Sequence, residues 1–373
     1  MTAPQPLIVL AAGGTGGHVF PAEALADALT ARGCRLALVT DRRGGAYGGA
    51  LGRIETHRIR AGGLAGKGLL ARIRAVPELL IGTFQARALL TRLMPNVVVG
   101  FGGYASVPTM MAASLLGLPT AIHEQNAVLG RANRLLASRV RRIATSFEVV
   151  ESIPAEARDR VVHTGMPVRP AVAAMRERPY RAIDAEGRIN VLVLGGSQGA
   201  RVLSDVLPAA VALLPEGLRA RLDLVQQCRP EDLERVKTAY AAIGLEPTLA
   251  AFFDDVPERL AACHLLIARA GASTVAEATA VGRPAILVPY PFAIDDHQSA
   301  NGHAVDEAGA GWLMMQDSFT PEALASRLEA LFAHPAPLDK AAACARAAGR
   351  PDAADRLADM VLGLLPAPER NAA

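Results

Sequence analysis

The feature that most constrains this chain is a glycine-rich turn that follows an apolar strand and opens a helix, and it occurs twice. In the first copy Leu7-Ile8-Val9-Leu10 runs into Ala11-Ala12-Gly13-Gly14-Thr15-Gly16-Gly17-His18-Val19-Phe20-Pro21, and Ala22 to Leu29 has helical composition. An unbroken apolar strand is one buried on both faces, as in a parallel sheet. Glycines at its end let the backbone approach a ligand closely. The helix start behind them offers unpaired N–H groups and a positive dipole end, so the natural guest is an anion. The second copy, Gly195-Gly196-Ser197-Gln198-Gly199-Ala200, lies between the strand Val191-Leu192-Val193-Leu194 and a helix from Arg201 to Leu214. Gly13 and Gly195 stand about one domain length apart, and 373 residues accommodate about two or three domains. The expectation is an α/β protein of two similar Rossmann-like halves, each with its own glycine loop.

Charge and cysteine usage narrow the class. A net charge of +3, from 39 Lys and Arg against 36 Asp and Glu, is too balanced for wholesale nucleic-acid binding, so no nucleic-acid partner is expected. Cys34, Cys228, Cys263 and Cys344 lie far apart with no C-x-x-C spacing, which argues against zinc and against a disulfide framework; no metal is expected. Met1 to Pro6 carries no basic region ahead of the first apolar run, so no secretory leader is expected and the chain is placed in the cytoplasm. Leu93 to Ile122 has no charged residue, but Pro95, Pro108, Pro119, Gly102-Gly103 and Gly117 divide it. It reads as a strand at Val97–Val99, a loop, a short helix and a strand at Thr120–Ile122, not as a membrane span.

The chain between the glycine turns continues the alternation. Arg35 to Thr40 reads as a strand, and Leu69 to Met94 as helical, with Pro77 starting a second helix. Gly62 to Gly68 resembles a phosphate-binding P-loop, but the spacing is one residue short and Gly68 stands where a magnesium-binding hydroxyl belongs. His123-Glu124-Gln125-Asn126 closes a strand, where ligand sites of α/β sheets lie, and lacks the second histidine of a zinc helix. Val161 to Arg169 reads as the crossing into the second half. There, strands are expected at Leu222–Gln226, Leu249–Phe253, His264–Ala268 and Ala285–Val288, and Thr320 to Leu365 is helical, restarting at Pro351 and Asp352.

Each candidate site has a structural and a functional reading. The first turn does not match G-x-G-x-x-G, and no acidic residue stands at the ribose-binding distance, so a nicotinamide cofactor is disfavoured and no cofactor is expected. Glu277 completes a T-x-x-E capping box with Thr274, or it accepts hydrogen bonds from ribose hydroxyls. His123 and Glu124 suit a buried pair beside a strand end as well as a site. Asp254-Asp255 and Asp295-Asp296 read as caps or solvated turns, and no carboxylate pair fits glycoside hydrolysis.

Taken together, Gly13 to Pro21, His123 to Asn126, Gly195 to Ala200, Ala270 to Glu277, and Asp296-His297-Gln298 with Asn301 resemble, in order and spacing, the MurG family of peptidoglycan N-acetylglucosaminyltransferases, glycosyltransferase family 28. The likeness runs from about Leu7 to Leu365. It departs at Met166, where the family has asparagine, and at Gln226-Gln227-Cys228-Arg229, where the family has His-Gln-Thr/Ser-Gly. The resemblance implies the GT-B fold: two Rossmann-like domains whose parallel sheets face a central cleft. Residues 1–167 with the C-terminal helix 351–365 would form the acceptor and membrane-side domain, and 168–350 the UDP-GlcNAc-binding domain.

The resemblance also implies the reaction: inverting transfer of GlcNAc from UDP-GlcNAc to the 4-hydroxyl of MurNAc in undecaprenyl-diphospho-MurNAc-pentapeptide (lipid I to lipid II). The setting would be peptidoglycan synthesis, serving cell shape and division, by a peripheral protein on the cytoplasmic leaflet of the inner membrane. Residue by residue it assigns Thr15, Gly16, Gly17, Asn126, Arg169, Ser197, Phe253, Ala272, Ser273, Thr274, Val275, Ala276, Glu277 and Gln298 to the donor site, Phe253 through its backbone. Two further readings stay open: a UDP-GlcNAc 2-epimerase or GT-B transferase to another acceptor, and a non-catalytic nucleotide-sugar-binding protein. His18 is the candidate base, suited by a pKa of about 6.5 and by a helix start that favours neutral imidazole. Alternatively His18 binds the lipid diphosphate or fixes the loop, and Glu124 is the base. Lys67, Arg72, Arg74, Arg87 and Arg92, among Leu69, Leu70, Ile73, Val76, Leu79, Leu80, Ile81 and Phe84, form either a helix pair over the sheet or a docking face for anionic lipid.

Overall fold

The structure, a computed structural model, describes residues 5–13, 16–41, 49–61, 69–196 and 199–366. The chain divides into two compact units, Met1–Pro167 with Asp352–Ala373, and Val168–Pro351.

The first unit is built on seven parallel strands: β1 (Leu7–Ala11), β2 (Arg35–Asp41), β3 (Glu55–Ile59), β4 (Val97–Gly100), β5 (Thr120–Glu124), β6 (Arg142–Thr145) and β7 (Val161–His163). Their order in the sheet is β3-β2-β1-β4-β5-β6-β7. Alternate side chains of β1 enter two separate cores, which is why the strand reads as continuously apolar. Ile8 and Leu10 pack with Leu25 and Leu29 of the helix Gly16–Ala31 and with Leu357 and Val361 of the last helix, Ala353–Leu362. Leu7 and Val9 face Leu90 of the helix Leu69–Leu93 and Met110 of the helix Gly103–Leu115. The last helix is tied to the first by Arg32, which pairs with Asp355 at 2.9 Å and Asp359 at 3.2 Å, and to β7 by Arg356, which donates to His163 O at 3.1 Å.

The second unit repeats the plan with six parallel strands: β8 (Ile189–Leu194), β9 (Leu222–Gln227), β10 (Thr248–Ala250), β11 (Leu265–Ala268), β12 (Ala285–Leu287) and β13 (Gly311–Leu313). The order is β10-β9-β8-β11-β12-β13. Its core joins Val191 and Val193 of β8 to Leu203 and Leu207 of the helix Arg201–Ala212 and to Leu324 and Leu328 of the helix Pro321–Ala333.

Three local expectations are corrected. Pro77 does not begin a second helix: one helix runs unbroken from Leu69 to Leu93. Pro77 is exposed, so the carbonyl it leaves without an intrahelical donor can turn to water. The strand expected at Leu249–Phe253 is Thr248–Ala250, and Phe253 lies beyond it. Thr274 does not cap a helix. The helix Ala272–Val281 is capped by Gly271 with no side-chain cap, so Thr274 is already inside the helix and Glu277 sits past its first turn. The P-loop-like segment Gly62–Gly68 lies outside the described residues. Among the described residues no helix is long and apolar enough to cross a membrane.

Candidate active site

In each unit the sheet order reverses direction beside the strand that carries the glycine turn. β1 has β2 on one side and β4 on the other; β8 has β9 on one side and β11 on the other. The crevice beyond the carboxyl ends of such strands is where open α/β sheets bind ligands.

In the first unit this crevice holds His18, in the first turn of the helix after β1. Its ring lies against Gly102 and Gly103, which follow β4. A Cβ on Gly102 would lie 3.5 Å from His18 Cε1, and one on Gly103 would lie 3.3 Å from Cδ2. Both glycines have positive φ, 81° and 68°, a conformation open to glycine and strained for other residues. His18 Nδ1 is 3.2 Å from Gln125 Oε1, and the Gln125 amide donates to Phe101 O at 2.9 Å. His123, on the buried part of β5, contacts Gly165 O through Nε2 at 3.3 Å. Burial pushes the His123 imidazole down to about 4, so the ring is neutral near pH 7.

Glu124 is the other candidate base, and it is only 1% exposed. Its Oε1 accepts from Asn126 N at 3.1 Å and Asn126 Nδ2 at 3.4 Å; its Oε2 accepts from Gly130 N at 2.9 Å and Asn133 Nδ2 at 2.8 Å. The carboxyl thus closes the loop from Asn126 to Gly130 onto β5. The structure therefore gathers His18, Glu124 and Asn126 in one unit, with Gly16 and Gly17 opening the helix that carries His18. Thr15 lies outside the described residues.

In the second unit the glycine turn after β8 is held by the segment that departs from the family pattern. Gln227 Oε1 accepts from Gly195 N at 3.1 Å while Gln227 Nε2 donates to Ala251 O at 3.1 Å. Gly199 has φ 69°, and a Cβ there would collide with Arg229 Cγ. Arg229 is fixed by Asp232 at 2.6 Å and Glu231 at 3.0 Å, and its hydrogen bond holds the Asp232 carboxyl below the usual range. Ser197 lies outside the described residues.

After β11 the helix Ala272–Val281 presents Ala272, Ser273, Thr274, Val275 and Ala276 in its first turns. Glu277 follows, and its Oε1 accepts from Arg169 Nε at 3.1 Å and pairs with Nη2 at 3.0 Å. Burial pushes the Glu277 carboxyl up and Arg169 pulls it back. Gln298, on the helix His297–Glu307, accepts from Tyr290 N at 2.9 Å, and Asn301 of that helix donates to Ala270 O at 3.0 Å, anchoring it to the end of β11. The Phe253 ring is buried, with the Arg259 guanidinium 4.6 Å from its centroid. Among the described residues no three His, Cys, Asp or Glu side chains group as metal ligands.

Sequence reasoning missed Gln125 as a site residue and the part played by Gly102-Gly103. A signal for the second was present: a glycine pair directly after the apolar run Val97-Val98-Val99 is the same strand-then-glycine pattern as the two turns that were recognised.

Comparison with known proteins identifies the family. The glycosyltransferase family 28 N-terminal domain matches residues 8–145, and the family 28 C-terminal domain matches residues 190–357. The chain is 64% identical over 366 residues to the UDP-N-acetylglucosamine--N-acetylmuramyl-(pentapeptide) pyrophosphoryl-undecaprenol N-acetylglucosamine transferase of Paramagnetospirillum magneticum, covering 98% of this chain and 99% of that one. It is 61% identical over 356 residues to the protein of the same name from Rhodospirillum centenum, covering 95% and 94%. Among solved structures it is similar to Acinetobacter baumannii MurG, with TM-score 0.78, 30% identity, and 96% and 100% of the two chains covered. The fold alone is shared with the UDP-GlcNAc 2-epimerase from Neisseria meningitidis, at TM-score 0.65 and 13% identity, covering 96% and 100%. Two parallel-sheet α/β units of this kind make up the GT-B fold, and the chain belongs to glycosyltransferase family 28.

Proposed function

We propose that this chain transfers N-acetylglucosamine from UDP-GlcNAc to the 4-hydroxyl of MurNAc in undecaprenyl-diphospho-MurNAc-pentapeptide, inverting the anomeric centre. The observation that carries the reading is His18, held by Gln125 over a glycine pair at the switch point of the first sheet, in a chain 64% identical to a transferase of that name. In the step, the 4-hydroxyl oxygen forms a bond to the GlcNAc anomeric carbon and its proton passes to His18. The bond from that carbon to the UDP phosphate oxygen breaks, and its electron pair leaves on UDP. Glu124 is a poorer base because both its oxygens are engaged by donors of its own unit.

The second unit is assigned UDP-GlcNAc and the first, with the last helix, the acceptor. Arg169, Ser197 and the N–H groups at the start of the helix Ala272–Val281 suit the diphosphate charge. Glu277 suits the ribose hydroxyls, and Gln298 the sugar. The Phe253 ring is already packed under Arg259, which leaves its backbone to meet the uracil. The family resemblance assigns Thr15, Gly16, Gly17 and Asn126 of the first unit to the donor as well.

A lipid-linked acceptor asks for a membrane face, and the helix Leu69–Leu93 offers one. Leu80, Ile81 and Phe84 are exposed, Phe84 at 70%, with Arg87 and Arg92 exposed further along the same helix. Lys67 and the side chains of Arg72 and Arg74 lie outside the described residues. Peripheral docking on the anionic cytoplasmic leaflet fits this pattern.

The test is transfer of label from radiolabelled UDP-GlcNAc. Label in a lipid-extractable product is expected. Soluble ManNAc species would favour an epimerase, and UDP-GlcNAc bound without turnover would favour a binding protein. His18→Ala is expected to lower kcat by about 10²–10⁴ with UDP-GlcNAc affinity nearly intact.

A further inference from the structure

The orientation of the Gln125 amide is dictated by its neighbours. Gln125 is 3% exposed, and its Nε2 lies 2.9 Å from Phe101 O and 3.1 Å from His123 O. Carbonyl oxygens only accept, so the amide nitrogen must face them and Oε1 must point the other way. Oε1 also only accepts, and it faces His18 Nδ1 at 3.2 Å. The Nδ1 position of His18 therefore carries the proton, and in the neutral ring Nε2 is the basic nitrogen.

We propose that Gln125 is a positioning residue that holds neutral His18 in its Nδ1–H form and so directs the basic nitrogen, Nε2, to the acceptor hydroxyl. This rests on the reading of His18 as the base. His123 is the second pin. Its Nε2 faces Gly165 O at 3.3 Å and so donates, which leaves Nδ1 an acceptor 3.1 Å from Gln125 Nε2, whose two hydrogens are shared among Phe101 O, His123 O and this nitrogen. The low His123 pKa keeps that ring neutral, so donation runs one way near pH 7, from His18 through Gln125 and His123 to Gly165 O. Gly102 and Gly103 hold the ring in place by the absence of side chains: a Cβ on Gly103 would stand 3.5 Å from His18 Nε2.

The test begins with the unmodified, full-length protein labelled with ¹⁵N-histidine. Long-range proton–nitrogen NMR correlations distinguish the two neutral tautomers, and the His18 signals are those that vanish in His18→Ala. A protonated Nδ1 and bare Nε2 are expected; a protonated Nε2 overturns the proposal without any variant of Gln125. Gln125→Met keeps length and removes the acceptor. It is expected to shift His18 toward the Nε2–H form and to lower kcat about tenfold, the worth of one neutral hydrogen bond, with KM for UDP-GlcNAc unchanged. In the His18→Ala background Gln125→Met should cost nothing further. An equal loss in that background, or an unchanged tautomer in Gln125→Met, overturns the proposal. Should His18→Ala keep its kcat, the base assignment falls instead, and the NMR signals still report whether Gln125 sets the tautomer.

Discussion

Arg169 and Glu277 are joined by two contacts to a single carboxylate oxygen, at 3.1 Å from Nε and 3.0 Å from Nη2. The pair links the N-cap of the helix Pro170–Ala174 to the body of the helix Ala272–Val281. Since Glu277 caps nothing and Arg169 can turn to water, Glu277→Ala should cost the fold only about 0–1 kcal/mol. UDP affinity should fall more than about tenfold, the scale of a charged hydrogen bond. Calorimetric titration with UDP and thermal denaturation of the same sample separate the two, and a lowered Tm with unchanged affinity would make the pair purely structural.

Glu124→Gln should behave in the opposite way. Replacing one accepting oxygen with an NH₂ group turns a donor toward Gly130 N and Asn133 Nδ2 or toward Asn126. The expected loss is about 1–3 kcal/mol of unfolding free energy in urea, with turnover of the folded fraction largely kept. Loss of kcat at unchanged stability would reassign the base to Glu124.

His123 predicts how stability depends on pH. Its folded pKa, about 4, lies below the unfolded value of 6.5, so between these values the unfolded chain binds the extra proton. Its contribution is complete above pH 6.5 and is lost as the pH falls through about 4, at about 1.4 kcal/mol per pH unit. Denaturant unfolding of the parent and of His123→Gln across this window should give a difference that shrinks toward low pH. A pH-independent difference would mean that His123 takes up its proton equally readily in the folded and the unfolded chain.

The exposed face of the helix Leu69–Leu93 predicts separable apolar and ionic contributions to membrane binding. Phe84→Ser and Leu80→Ser should weaken binding to anionic vesicles at all salt concentrations without loss of Tm, since both side chains are exposed. Arg87→Ala with Arg92→Ala should weaken it by about 1 kcal/mol per residue at low salt and flatten the salt dependence. Binding unchanged in both pairs would remove this helix from the docking surface.

What the sequence alone determined is local chemistry. β1 and β8 are legible because a strand buried on both faces must be continuously apolar, and the turns after them because only glycine lets a backbone bend that closely. The motifs of the resemblance lie in the same short stretches. The tertiary structure alone decided the rest. β3, β6 and β13 are short strands whose stability comes from the neighbours they pair with, so their own residues announce little. Pro77 reads as a helix start, yet the helix runs through it, with Pro77 itself exposed. Glu277 reads as a cap until Arg169, 108 residues earlier, is seen to claim it, and Gln125 reads as filler until it meets His18, 107 residues away. Such pairings depend on which strand ends the sheet order brings side by side, and a hydrogen bond forms only where donor and acceptor arrive within about 3 Å. Nothing in either local sequence encodes that arrival.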